Sequence, residues 1–234
     1  MGVSSTKAEH GAVTRQRLLE AAEELFSKEG FDRVSVRDIT DRARANVAAV
    51  NYHFGSREGL VEQVMVRYID PINEERLLRL DQLEKKSGKR AVPLEELLDA
   101  FVRPFVSQVR KSELSERLFY KLMGRLCGDQ AAKMPVGVEA GFMKMFTRFQ
   151  RAFAKALPEL SEDDLVWRVH FMVGAMIHTM AHAETLHRFT HGASGTPSME
   201  ETLSRFIRFS VAGMREGIGR NEKSAKGPQS EFEF

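Results

Sequence analysis

The chain has 234 residues, 42% hydrophobic and 29% charged, with a formal net charge of +2. That is apolar material for one large or two small cored domains; the near-neutral total excludes a polycation, and no apolar run approaches the ~20 residues that span a bilayer. The single cysteine, Cys127, excludes an intrachain disulfide and a thiolate metal cluster.

The polar first ten residues lack the apolar centre of a signal peptide, so a cytoplasmic protein is expected. Residues 1–13 read as a flexible arm. Over 14–29, Leu18, Leu19, Ala22, Leu25 and Phe26 recur at helical spacing, and Gly30 is a C-terminal stop. Ser35 and Asp38 form a capping-box pattern that opens a short helix to about Ala43. Asn46 can cap a second short helix over 47–53. Gly55 breaks it, and Ser56 caps a longer helix from Arg57 to about Leu83. Residues 85–90 (KKSGKR) read as a loop. Pro93 suits the first turn of a helix to about Lys111, which Pro104 should kink. Further helices are expected over 113–127 and 138–156, the latter ended by Pro158. Ser161 and Asp164 start a long helix to about Phe189, and Ser198 and Glu201 cap a last one to about Met214. The tail 217–234 reads as disordered. No segment alternates with period two, so the fold class is all-α, with about nine helices. Cys127 falls in an apolar-patterned stretch and reads as a small buried hydrophobe, with a redox-sensing thiol as the alternative.

Charge is uneven along the chain. Segment 33–57 holds Arg33, Arg37, Arg42, Arg44 and Arg57 against Asp38 and Asp41. A local basic face is what phosphate binding needs, although a solvated helix face reads the same way. Within it, helices 36–43 and 47–53 are joined by about three residues, and Ile39 and Ala43 can pack on Val47 and Val50. This is a helix-turn-helix pattern, whose second helix enters the major groove.

The residues themselves are more specific than the pattern. Leu19-Glu20-Ala21-Ala22, Leu25-Phe26, Gly30-Phe31 and Ser35-Val36-Arg37-Asp38-Ile39 are followed by Asn46-Val47-Ala48-Ala49-Val50-Asn51-Tyr52-His53-Phe54-Gly55-Ser56-Arg57-Glu58-Gly59-Leu60. In this order, segment 14–63 resembles the DNA-binding domain of TetR-family transcription regulators. The resemblance implies a DNA-binding domain over 14–56, a ligand-binding and dimerisation bundle over 57–216, operator DNA as partner, a homodimer and an effector-controlled regulator, expected to be a repressor. It implies neither an enzyme nor a cofactor. Two residues depart from the family's pattern. Arg44 stands where a turn glycine is usual, at a cost of roughly 1 kcal/mol if φ is positive, and Thr40 replaces a small alanine.

Roles follow from residue type. The Asn51 amide can pair with an adenine edge. Ala48 and Ala49 are short enough to let the helix lie deep in the groove, and Val47 is counted with them among the DNA-binding residues. Arg37 can reach a guanine or a phosphate, and Arg44 a phosphate. Tyr52, His53 and Arg57 match the family's phosphate-contacting positions, with Asn46 and Ser56 at helix N-termini. Tyr52 and His53 can equally be packing residues, and Arg37 and Arg57 can pair with carboxylates.

Beyond residue 60, Trp167-Arg168-Val169-His170-Phe171-Met172-Val173-Gly174-Ala175 and Ala212-Gly213-Met214-Arg215 resemble the PsrA-type branch of that family, whose members respond to long-chain fatty acids or their derivatives. Segment 101–180 is rich in Met and Phe, which line adaptable apolar cavities but more often form plain core. Phe101, Phe105, Phe119, Met123, Phe146, Phe149, Trp167, Phe171 and Met176 are the candidate effector lining. A two-fold dimer is expected through helices 161–189 and 198–214, where Ala175, Ala181, Ala183, Ala212 and Gly213 permit close approach. His178 and His182 have metal-ligand spacing but no completing acid or cysteine, so no metal is expected. No nucleotide-binding glycine loop, nucleophile elbow or zinc-protease motif is present in the sequence.

Overall fold

The computed structural model describes residues 3–109, 111, 116, 118, 136–181, 188–193, 195 and 198–216. Among these the chain forms eight helices and no strand: α1 (Val3–Glu29), α2 (Val36–Ala43), α3 (Val47–Phe54), α4 (Arg57–Ser87), α5 (Leu94–Val109), α6 (Val136–Ala156), α7 (Glu162–Ala181) and α8 (Met199–Arg215). The expectations for 113–127, Cys127, Phe119, Met123, His182 and the tail 217–234 fall wholly or largely outside the described residues.

Local capping chemistry sets the helix starts. Ser35 and Asp38 close a reciprocal capping box on α2, and the hydrogen bonds from Ser35 hold the Asp38 carboxyl below its ordinary pKa. Asn46 Oδ1 accepts from Ala49 N at 2.8 Å, Ser56 Oγ from Gly59 N at 3.1 Å and Ser161 Oγ from Asp164 N at 3.1 Å. Ser198 and Glu201 form a second capping box. One start differs from expectation: α1 begins at Val3, so residues 3–13 continue the helix instead of forming a free arm. Ala8, Glu9 and Ala12 are good helix formers, and the segment has a neighbour to lean on, since a side-chain carbon added at Gly11 would stand 3.8 Å from the His53 ring.

The described apolar residues form two cores. The first gathers Leu18, Leu19, Ala22, Phe26, Phe31, Val34, Ile39, Ala43 and Val50 with Leu60, Val61, Val64, Met65 and Tyr68. The second holds Ile72, Leu80, Leu97, Leu98, Phe101, Phe105, Phe149, Phe153, Leu165, Met172, Met176 and Leu203. α4 enters both: its residues up to Tyr68 pack in the first core and those from Ile72 in the second. Pro71, a proline inside the helix, lies at that seam. It donates no hydrogen bond to the carbonyl four residues back and loosens α4 where the cores meet.

Polar contacts bind α6 along α4. Glu62 Oε1 accepts from Gly137 N at 2.8 Å near one end. Arg148 meets Asp81 at 2.6 Å and Glu84 at 2.8 Å near the other. Between α1 and α4, the buried Glu23 carboxylate stands 3.0 Å from Arg67 Nη1, and desolvation keeps its pKa raised despite that partner.

Arg44 has φ 49° and ψ 49°. The turn therefore needs the left-handed conformation that favours glycine, and the arginine bears the strain. Arg44→Gly should raise unfolding stability by about 0.5–1 kcal/mol, the relief of left-handed strain less the entropy a glycine adds to the unfolded chain. Urea denaturation of both proteins measures the difference, and an unchanged or lower midpoint for the glycine variant would contradict it.

Candidate nucleic-acid interface

α2 and α3 pack on each other and on α1 through one side of each helix, with Ile39, Ala43 and Val50 buried. The opposite side of α3 carries Val47, Ala48, Asn51 and Tyr52, all exposed, Tyr52 at 83%. These residues are spaced i, i+1, i+4 and i+5 and share one helix face. Val47, expected to share the packing against α2, is instead 45% exposed and stands on this outer face; Val50 alone of the pair is buried. The phase of the short helix explains this, since only one side of it can point into the core. Ala49 is partly buried behind the exposed face.

Around this face the arginines divide. Arg33, Arg37 and Arg44 are exposed. Arg42 is 2.5 Å from Glu24 of α1. Arg57 lies under the domain: its Nη2 donates to the carbonyls of Phe31 and Val34, and its Nε to Val34 at 3.2 Å. Its side chain is 23% exposed. Arg57 thus holds the α1–α2 connection to the start of α4, a role that phosphate contact alone does not account for. Asn46 and Ser56 spend a side-chain acceptor on their own helix starts. His53 is half-buried and meets Tyr52 edge-on, with ring centroids 4.9 Å apart.

Arg17 and Arg15, which the sequence did not single out, matter here, as does Thr40. Arg17 of α1 donates to the carbonyls of Ala43 and Arg44 and so fixes the strained turn. Arg15 reaches Gln63 at 2.6 Å and lies over the Phe54 ring at 5.4 Å. Thr40 is buried, and its hydroxyl donates to the Arg37 carbonyl at 3.0 Å, which explains how a hydroxyl is accommodated at this position. An open hollow of about 510 Å³ between α1 and α2 is lined by Arg17, Glu20, Glu24, Arg42 and Arg44. Gly59 allows the first turn of α4 to abut the end of α3, because a Cβ there would collide with the Phe54 carbonyl oxygen.

A compact helix pair with one apolar-to-polar outer face, rimmed by arginines, is the geometry of a major-groove reader. Comparison with known proteins agrees. Residues 18–64 match the model of bacterial regulatory proteins of the tetR family, and residues 99–213 match a tetracyclin repressor-like C-terminal domain. The chain belongs to the TetR family of transcription regulators. It is 29% identical over 147 residues to the transcriptional repressor NicS of Pseudomonas putida, a match covering 60% of this chain and 69% of that one. It is 27% identical to the regulator AcrR of Shigella flexneri, over 54% of this chain and 59% of that one. Among solved structures, the hemolysin II regulator HlyIIR shares the fold with a TM-score of 0.56 and 17% identity, over 85% of this chain and 97% of that one. A TetR-like regulator from a Rhodococcus species aligns with a TM-score of 0.53 and 16% identity, over 88% of this chain and 97% of that one.

In the C-terminal half of this TetR-family chain, the expected effector lining divides. Phe101, Phe105, Phe149 and Met176 are buried in one core, and Phe146 is half-buried against it. Trp167 and Phe171 do not belong with them: they are 54% and 63% exposed. The reason is helical phase. Leu165, Val169, Met172 and Met176 form the inward stripe of α7, and residues 167 and 171 fall two positions out of step with it. Among the described residues no group of three or more His, Cys, Asp or Glu is placed to hold a metal, and no described helix is long and apolar enough to cross a membrane.

Arg57→Ala should lower stability by about 2–3 kcal/mol, because it removes the charged donor that meets the carbonyls of Phe31 and Val34. Thermal unfolding followed by circular dichroism tests this against the phosphate-only role, which predicts weaker duplex binding with stability unchanged.

Proposed function

We propose that this regulator is a cytoplasmic repressor that binds a palindromic operator as a two-fold homodimer and is controlled by a small apolar effector. The observation that carries the DNA reading is the exposed face of α3. Asn51 supplies the amide that pairs with an adenine edge. Val47 and Ala48 make the apolar contacts with thymine methyls and let the helix sit deep. Arg37 and Arg44 are exposed to meet a base edge or phosphates, with Tyr52, His53 and the helix starts at Asn46 and Ser56 as further backbone contacts, while Arg57 supports them from beneath the domain. Ala49, expected beside them, is partly buried against the first core and lies off this face.

The dimer reading rests on the outward faces of α7 and α8. Trp167, Phe171 and Phe209 are large, apolar and exposed, Phe209 at 69%. Gly174 and Gly213 have open space where a side chain would stand. Aromatic bulk beside small residues suits the packing of these two helices against the same pair from a second copy. Such a dimer sets two recognition helices about one turn of DNA apart, so the operator is palindromic.

The effector reading rests on the Phe- and Met-rich second core and on α4, which links it to the first. The resemblance of segments 167–175 and 212–215 to the PsrA-type branch favours a long-chain fatty acid or its acyl-CoA. An effector that repacks α5–α7 against the far half of α4 displaces its near half, and α3 with it, so the two recognition helices lose their match to successive grooves.

Fluorescence anisotropy with operator-length duplexes tests the DNA reading. Binding should weaken steeply with salt as counterions are released, and Asn51→Ala should cost about 1–3 kcal/mol at one base position while sparing non-specific binding. A variant indistinguishable from the parent on every duplex would remove Asn51 from the interface. For the dimer, sedimentation equilibrium should find two-fold particles at micromolar concentration, and Phe171→Glu should yield monomers that keep their helicity. Dimers that survive this substitution would place the interface elsewhere.

A further inference from the structure

Among the described residues the second core contains one buried cation. Arg76 of α4 is only 6% exposed and lies among Phe and Leu side chains. Its guanidinium stacks 4.1 Å from the Phe101 ring centroid and 5.9 Å from that of Phe105. Nε donates to the Phe101 carbonyl at 2.7 Å, in the turn of α5 just ahead of Pro104. Nη1 faces Asn73 Oδ1 at 3.4 Å. Asn73 is 5% exposed, and its Nδ2 is buried without a hydrogen-bond partner. Among the described ion pairs no carboxylate reaches Arg76, whereas Arg67, Arg79, Arg103, Arg148 and Arg215 each have one.

The imbalance is of donors. Arg76 and Asn73 together bring seven N–H groups, by residue type, to one buried spot, and the acceptors they meet are one carbonyl and the amide's own oxygen. Turning the Asn73 amide over would aim its N–H groups at the guanidinium, so the donor excess survives either assignment. Burial pushes the Arg76 guanidinium down to about 9, with no acid to offset it. A buried cation without a counter-charge is costly, and proteins pair such groups or use them.

We propose that Arg76 and Asn73 are the anion-recognising end of the effector site, and that the effector is a small monocarboxylate whose apolar body lies among Phe101, Phe105, Phe149 and Met176. This rests on the effector reading above and narrows it: the ligand is a free acid, because a thioester or alcohol of the same carbon skeleton presents no charge to Arg76. The carboxylate accepts from the guanidinium and from Asn73 Nδ2. Phe101 and Phe105 turn off the guanidinium face to admit it, and Met172 and Met176 in the same core supply adaptable volume. Neutralising Arg76 acts directly on α4, five residues past Pro71, so the charge that recognises the ligand stands on the helix that carries the DNA-binding half.

The test uses the full-length protein without DNA, so it is independent of operator binding. Isothermal titration and thermal-shift measurements compare decanoate with decanamide and decanol. Decanoate should bind and raise the melting temperature, and the two neutral compounds should bind about 10- to 100-fold more weakly. Arg76→Met should bind decanoate no better than wild type binds decanol. Because that variant could fold poorly, side-chain amide NMR of the wild type gives a second reading: decanoate should shift the buried Arg76 Nε–H and the Asn73 Nδ2 signals. Equal binding of the neutral compounds would overturn the carboxylate inference and leave an apolar effector standing. Decanoate binding that moves neither NMR signal, or that a folded Arg76→Met retains, would overturn the site. No binding of any of the three would overturn the inference, while operator binding by the wild type would still support the regulator reading.

Discussion

A long helix that builds much of two hydrophobic cores, α4, is the constraint on which this molecule depends. α4 contributes Leu60, Val61, Val64, Met65 and Tyr68 to the DNA-binding core and Ile72 and Leu80 to the bundle. Neither core closes without it, and a helix transmits displacement along its axis because its hydrogen-bond ladder resists bending. α6 is bound to the same lever at both ends, through Glu62 to Gly137 and through Arg148 to Asp81 and Glu84. Its Val138 even enters the DNA-binding core. The two halves are therefore coupled by packing, and Pro71, at the seam, marks where relative rotation costs least.

The DNA-binding half is held together by arginine-to-carbonyl bonds as much as by apolar contact. Arg57 takes up the carbonyls of Phe31 and Val34, and Arg17 those of Ala43 and Arg44. Phe31 and Val34 lie in the connection between α1 and α2, and Ala43 and Arg44 at the C-terminal end of α2. Guanidinium groups suit the task because one side chain can serve two carbonyls. The strained φ at Arg44 persists for the same reason: Arg17 grips the turn from both sides of it. Local basic charge therefore overstates what is offered to DNA. Of the five arginines in segment 33–57, Arg42 and Arg57 are engaged inside the domain, and Arg33, Arg37 and Arg44 are presented outward.

Features set by near neighbours in the chain were readable from sequence. The caps at Ser35, Asn46, Ser56, Ser161 and Ser198 depend on residues three apart, and the positive φ at Arg44 on one missing glycine. The all-α class followed from periodicity. Tertiary phase was not readable. In α7, Trp167 and Phe171 are as apolar as Val169 and Met172, so composition offered two stripes and no means of choosing the inward one. Arg76 follows Glu74 and Glu75 in sequence, a run that reads as a solvated face, yet the position is buried because α5 and α6 cover that side of α4. Pro71 falls inside the helix expected over 57–83, and its meaning depends on where the two cores meet.

On the proposed effector reading, the position of the buried charge bears on how switching would be powered. A ligand shifts an equilibrium only by its differential affinity for the two states. Apolar filling alone discriminates weakly between two packed arrangements, because Met- and Phe-rich cores accommodate volume in many ways. An uncompensated guanidinium is different: its pairing depends on distance and on the exclusion of water, so it is sensitive to small movements of the helix that bears it. A coupling of about 1–3 kcal/mol suffices to change operator affinity roughly 5–150-fold, and one well-formed charge-assisted contact has that magnitude. Placing the charge on α4, beyond the proline and within the second core, puts that sensitivity on an element that both cores must follow.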